Sequence, residues 1–237
     1  MTFDFYLFTK IGGIALFIFV GGAAAARQLA LKRTRTYTIN AVAVFMAFLG
    51  SRTWYFLQNE IPDVQSQGWA HAFEIWNDSG AVLYGWIFGG MLTLYVFSRL
   101  FKFSLIRYLD AVLPWLLVTQ FMNRLGCFDA GCCYGKLTDF PISCRNWVLN
   151  GQVHPVQLYE GLFDLALFAF IKTRPKQIGR PTFLYFTCYP IARFFFEFLR
   201  GDNGPALWFM TVPQVTSVLI LITVFLLRKK LLIKYAK

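Results

Sequence analysis

The stretch at 80–101, GAVLYGWIFGGMLTLYVFSRLF, contains no acidic residue and one basic residue, Arg99, near its end. At 1.5 Å per residue, a helix of this length reaches roughly 33 Å, enough to cross a hydrocarbon layer about 30 Å thick. Its apolar residues run as a continuous block, so it reads as a transmembrane helix and not as the amphipathic helix of a soluble domain. Working outward, similar blocks recur at 10–29, 39–58, 107–128, 157–172, 181–200 and 211–228. The block at 157–172 is the shortest, and Pro114 inside 107–128 is tolerated as a kink if neighbours satisfy the freed carbonyl. Composition agrees: 57% of the 237 residues are hydrophobic and 15% are charged, where soluble domains run at about 25% charged. The expected fold class is an all-α integral membrane protein of about seven transmembrane helices, forming one domain over 1–237.

The net charge of +11 would suit nucleic acid, but its distribution follows the blocks instead. Arg27, Lys32, Arg33 and Arg35 follow the first block, and Arg99, Lys102 and Arg107 follow the third. Lys172, Arg174, Lys176 and Arg180 follow the fifth, while Arg228, Lys229, Lys230, Lys234 and Lys237 follow the seventh. Asp4, Glu60, Asp63, Glu74, Asp78, Asp139 and Asp202 occupy the opposite loops. The positive-inside rule therefore predicts an outer N-terminus and a cytoplasmic C-terminus in a bacterial inner membrane, with loops 59–79 and 129–156 facing outward. The first block is expected to stay in the mature protein, since Lys10 alone precedes it as a cation and no export cargo follows. The basic loops then serve topology and attract anionic head groups; nucleic acid is not an expected partner.

Arg52, Arg124 and Arg193 fall within or at the ends of blocks. A charge in hydrocarbon costs about 2.5–3.5 kcal/mol on insertion scales, so such residues face the bundle interior and hold a partner. Guanidinium forks grip phosphate oxygens bidentately, which points to an anionic phospholipid. The structural alternative is pairing with Asp110, Glu160, Asp164 or Glu197 to hold helices together, or snorkelling to the interface. In 181–200, Tyr189, Arg193, Glu197 and Arg200 form one polar stripe on a helix, with Arg193 and Glu197 spaced for an i,i+4 ion pair. Phe194, Phe195 and Phe196 supply apolar surface beside them.

Several separated motifs resemble those of the prolipoprotein diacylglyceryl transferase family. They are Gly50-Ser51-Arg52 with Tyr55, the trio Asp110, Pro114 and Arg124, the segment His154-Pro155-Val156-Gln157-Leu158-Tyr159-Glu160, and Arg193-Phe194 with Glu197-Phe198. The resemblance covers about residues 50–200. It implies a seven-span enzyme that moves diacylglycerol from phosphatidylglycerol to the lipobox cysteine of a prolipoprotein, with the prolipoprotein signal peptide as a second partner. It also implies that Arg124 and Arg193 hold the donor phosphate and that Glu197 and Tyr189 support them. His154, Gln157, Tyr159 and Glu160 would shape the outward end of the cavity, with Arg52 and Arg200 as further binding residues.

The chain departs from that family at two places. Tyr84, in Leu83-Tyr84-Gly85-Trp86, stands where the family usually carries a histidine, leaving Tyr84 as a candidate proton partner. The family's RxGNFxNGExxG motif reads Arg124-Leu125-Gly126-Cys127-Phe128-Asp129-Ala130-Gly131-Cys132-Cys133-Tyr134-Gly135, so both asparagines and the glutamate are replaced. Of the cysteines at 127, 132, 133, 144 and 188, an odd count that leaves at least one thiol, Cys188 is expected to pack between helices and packing is one reading of Cys127. A disulfide from Cys144 to Cys132 or Cys133 is one reading. A second makes Cys132 or Cys133, beside Arg124, a nucleophile whose thiolate the guanidinium stabilises. No metal is expected, because the spacings lack CxxC pairs, and no nucleotide, haem or flavin signature is present. Three functions stay open at this level: the diacylglyceryl transferase, a thiol-dependent lipid-modifying or redox protein on its scaffold, and a non-catalytic lipid binder.

Overall fold

The computed structural model describes residues 4–55, 83–174, 177–202 and 209–232. Within the described residues, each of the seven apolar blocks falls mainly on helix. In chain order these are α1 (Phe5–Leu16), continued through a π-helical turn (Phe17–Gly21) into α2 (Gly22–Leu29); α3 (Arg33–Tyr55); α4 (Leu83–Leu100); α5 (Leu105–Asp129); α6 (Val156–Thr173); α7 (Arg180–Phe196), closed by a 3₁₀ turn (Glu197–Leu199); and α8 (Val212–Leu232). Two rods, Phe5–Leu29 and Leu105–Asp129, are long and apolar enough to cross a membrane, and Val212–Arg228 is a shorter apolar helix. Loop 59–79 lies outside the described residues.

The all-α expectation needs one correction. Loop 129–156 contains a two-stranded antiparallel hairpin, β1 (Cys144–Asn146) and β2 (Gly151–Val153), with Cys144 opposite Val153 and Asn146 opposite Gly151. Three-residue strands fall below the length at which alternation is visible in sequence.

Buried polar residues share the interior with an apolar core around Ile39, Val112 and Leu117, while large apolar side chains cover much of the outside. Phe8, Phe19, Phe88, Phe195 and Phe225 are exposed, whereas Asn40, Asp110, Asp164, Arg193 and Glu197 are buried. Water would penalise both halves of that arrangement; hydrocarbon reverses the sign for the exposed rings.

Where apolar burial gives no advantage, small residues and buried polar contacts hold helices together. The α3–α4 seam is of the first kind: a Cβ built at Gly85 would lie 2.1 Å from the carbonyl oxygen of Gly50, and one at Gly89 would lie 2.3 Å from that of Met46. The α1–α3–α5 junction is of the second kind. The Tyr108 hydroxyl donates to Asn40 Oδ1 (2.7 Å), and Asn40 Nδ2 donates to the carbonyl of Phe17, the first residue of the π turn (3.0 Å). A π turn shifts the backbone ladder by one residue and so leaves a carbonyl for an outside donor.

Asp110 fixes α7 against α5. Its carboxylate accepts from the Gly179 N–H (2.6 Å), the Thr182 N–H (3.0 Å) and the Thr182 hydroxyl (2.6 Å), covering the orphan donors where α7 begins. Asp110 therefore acts as a helix cap supplied from another helix, and its hydrogen-bond partners among the described residues are Gly179 and Thr182, not an arginine.

Candidate active site

The segment Tyr134–Leu137 draws the start of α6 and the end of α7 together. Gly135 N–H donates to the His154 carbonyl and His154 N–H to that of Lys136 (both 3.1 Å). On its other edge, Lys136 N–H donates to the Leu199 carbonyl (2.8 Å) and Gly201 N–H to that of Tyr134 (3.0 Å). A Cβ at Gly135 would sit 2.4 Å from the His154 carbonyl oxygen, so only glycine permits this approach.

That clamp gathers three arginines around Glu160. Arg124 from α5 reaches Glu160 Oε2 at 2.5 Å, Arg193 from α7 hydrogen-bonds Oε1, and Arg200 lies 4.0 Å from Oε1. Glu197 takes the remaining side: Arg193 at 3.0 Å, in the i,i+4 pair the spacing predicts, and Arg200 at 3.8 Å. Arg200 also makes a two-pronged bond to Asp202, at 2.7 and 3.0 Å. Of the expected stripe, Tyr189 and Arg193 lie on α7 and Glu197 on the 3₁₀ turn, whereas Arg200 has left the helix in an extended conformation, bridged to Gly135. The arginine side chains differ in exposure: 19% for Arg124, 10% for Arg193 and 6% for Arg200, which leaves Arg124 as the cation most open to an incoming anion.

A cleft opens beside this cluster, lined by Glu160, Phe163, Asp164, Tyr189, Ala192, Arg193 and Phe196. Tyr189 stacks on Tyr185 (centroids 5.6 Å apart, planes 2° from parallel), which fixes its ring against the cleft wall. Asp164, one helical turn beyond Glu160, is buried, and its Oδ1 has no hydrogen-bond partner among the described residues. Sequence reasoning held Asp164 only as a possible arginine partner. The signal available was its i,i+4 spacing to Glu160, which places both acids on one face of α6.

Several other predicted binding residues turn out to build the site. Gln157 is buried and donates to the Cys132 carbonyl at 2.6 Å, and the Tyr159 hydroxyl donates to the Ile142 carbonyl at 3.0 Å. His154 contributes its backbone pairs, with its ring 6.0 Å from Phe140 and 6.4 Å from Tyr159. Glu160 is the shared counter-ion of the cluster. Arg52 sits on α3, its guanidinium 5.9 Å from the Phe48 ring. The side chain of Tyr84 lies outside the described residues, as does that of Tyr55.

All five cysteines are free thiols. Cys144 turns toward the Val153 carbonyl (3.8 Å) and not toward Cys132 or Cys133, so neither disulfide considered for it forms. The Sγ atoms of Cys127, Cys132 and Cys133 instead lie within 4.8 Å of one another. The Cys132 thiol points to the Cys127 carbonyl (3.6 Å), and the neighbouring Cys127 and Cys132 thiols, with the Arg200 and Arg124 charges, lower the pKa of Cys133 against burial. Cys132 is pushed up by its bonds to the other two.

Residues 1–228 match the family model for prolipoprotein diacylglyceryl transferase. The chain belongs to that family. Among its relatives, a phosphatidylglycerol–prolipoprotein diacylglyceryl transferase of Clostridium tetani is 34% identical over 152 residues, covering 61% of each chain. One of Clostridium perfringens is 34% identical over 61% of this chain and 59% of its own. One of Finegoldia magna is 29% identical over 94% of this chain and 89% of its own. The chain thus spans about three-fifths of the length of the first two relatives and most of the third. Diacylglyceryl transferase is the activity these relatives' names carry, and none favours the thiol-dependent or non-catalytic alternatives.

Proposed function

We propose that this protein transfers a diacylglyceryl group from a phosphatidylglycerol-like lipid to the lipobox cysteine of a prolipoprotein. The observation that carries the reading is the cluster of Arg124, Arg193 and Arg200 around Glu160, beside a cleft that Arg193 and Glu160 line, in a chain of this family. The charge pattern and the seven apolar blocks support a single domain of seven spans in the bacterial cytoplasmic membrane, with the N-terminus outside and the C-terminus inside. The signal peptide of the acceptor would lie in the same bilayer.

In the reaction, the acceptor thiol loses its proton and its sulfur bonds to the terminal glyceryl carbon. The carbon–oxygen bond to phosphate breaks, and the electron pair leaves on the glycerol phosphate. Charge accumulates on that phosphate as the bond breaks, so cations fixed beside it favour the transition state over the ground state. Arg193, at the cleft wall, and Arg124, the most exposed of the three, would hold the phosphate. Arg193, held from both sides by Glu160 and Glu197, is pre-oriented and loses little side-chain entropy when the lipid arrives. Asp164, buried at the cleft with an unpartnered oxygen, is the group placed to take the thiol proton.

Complementation of a transferase-depleted bacterium tests this reading, with precursor lipoprotein mobility and phosphatidylglycerol consumption followed together. Rescue by the wild-type protein is expected, with loss of about two to three orders of magnitude in turnover for Arg124→Ala. A membrane-inserted wild-type protein that consumes no phosphatidylglycerol overturns it.

A further inference from the structure

The transferase reading leaves Cys127, Cys132 and Cys133 without a role. Their meeting is set by the backbone. The end of α5 closes as a Schellman motif: the Cys132 N–H bonds to the Cys127 carbonyl (3.1 Å) and the Gly131 N–H to that of Phe128 (3.1 Å), with Gly131 left-handed at φ +67°. In this motif the residue after the glycine returns over the residue five positions earlier, so the side chains of Cys132 and Cys127 are brought face to face. Cys133 is left-handed in turn (φ +59°), a conformation that costs a non-glycine residue about 1–2 kcal/mol and returns its sulfur to the same point.

The turn is held from outside as well. Trp147 Nε1 donates to the Asp129 carbonyl (3.3 Å), Asn146 Nδ2 to that of Gly131 (3.0 Å) and Gln157 Nε2 to that of Cys132 (2.6 Å). Asn146 and Gln157 are buried. Three sulfurs on so constrained a backbone resemble a ligand set more than three packing residues, because packing alone does not require a strained Cys133 or three dedicated side-chain braces.

We propose that Cys127, Cys132 and Cys133 bind a thiophilic d¹⁰ cation, Cu(I) or Zn(II), through their three sulfurs. Sulfurs sharing one such ion at about 2.3 Å stand roughly 3.8–4.0 Å apart, so a spread within 4.8 Å needs at most about 1 Å of closure. Cu(I) is satisfied by three thiolates in a plane, whereas Zn(II) would add a water as fourth ligand. Three thiolates exceed the charge of either ion. The excess is offset nearby: Lys10 Nζ is 3.9 Å from Cys127 Sγ, and the Arg124 and Arg200 charges act on Cys133. The site is distinct from the lipid cleft, none of whose lining residues is a cysteine, and the proposal stands whether or not the transferase reading holds.

The test uses the full chain, reduced and metal-free in lipid nanodiscs, titrated with Cu(I) from its bicinchoninate complex and separately with Zn(II) against a chromophoric chelator. Alkylation counted by intact mass reports how many thiols the metal protects. One equivalent of either ion, protecting three thiols together, is expected; the relative affinities say which ion the site prefers. Serine at 127, 132 or 133 should lower affinity at least tenfold, and Cys188→Ser should leave it unchanged. Gln157→Leu, which frees the Cys132 carbonyl while keeping all three ligands, should cost about 10–100-fold. Uptake below half an equivalent, thiols that react independently of metal, or binding that survives the triple serine variant overturns the proposal.

Discussion

Two polar clusters adjoin the C-terminal end of α5, and they are assembled in opposite ways. The arginine–carboxylate cluster draws Arg124 from α5, Glu160 from α6, Arg193 from α7 and Glu197 and Arg200 from the turn that follows it, so it exists only when the bundle closes. The thiol cluster is made within seven residues by one turn, and distant side chains only brace it. Long-range clusters carry folding energy because their charges are costly when separated, while a local cluster can be altered with little effect on the bundle.

The sharpest way to break this contrast is Glu160→Ala. It leaves Arg124 and Arg193 without their shared carboxylate, and removing one partner of a buried ion pair typically costs about 3–5 kcal/mol. Chemical unfolding in detergent should show a loss of that size. A loss below about 1 kcal/mol would mean that water already screens the cluster. Next in size is Asp110→Ala, which strips three donors at the start of α7 and should cost about 2–3 kcal/mol by the same measurement. Its effect on the thiols should be nil, which thiol counting by alkylation would check.

Asp164→Asn keeps volume and hydrogen-bonding capacity at the cleft. Turnover is expected to fall about 10²–10⁴-fold with lipid binding retained, as measured by kcat against KM for phosphatidylglycerol. Gly131→Ala probes the turn. Its Cβ would press on Trp147 Nε1 at 2.7 Å and demand a left-handed alanine, for about 1–2 kcal/mol in total, and it should separate Cys132 from Cys127 in crosslinking with a short bifunctional thiol reagent. The smallest effect is reserved for Cys144→Ser, whose thiol makes one weak contact to the Val153 carbonyl; stability should stay within about 0.5 kcal/mol.

The same contrast explains what could be read from the sequence. Helix positions were legible because each apolar block is long and uninterrupted, and the Arg193–Glu197 pair because four residues on a helix is a fixed distance. The role of Glu160 as shared counter-ion was not legible, since Arg124, Arg193 and Arg200 reach it across helices whose packing no periodicity reveals. Asp110 was no more legible: an arginine pair was one alternative for it, whereas it accepts from the backbone of Gly179 and Thr182 and from the Thr182 hydroxyl, 69 and 72 residues away. The thiol cluster could have been anticipated. Searching for CxxC looked at spacing alone, whereas Gly131 just past the last turn of α5 marks a Schellman close that joins residues five apart.

That close has a consequence for reading other chains. A helix that ends in Cys-x-x-x-Gly-Cys with a left-handed glycine brings its two sulfurs together through local backbone geometry. Such a pattern can be recognised in a bare string of letters before any fold is known, and the surrounding side chains then serve to hold the encounter in place.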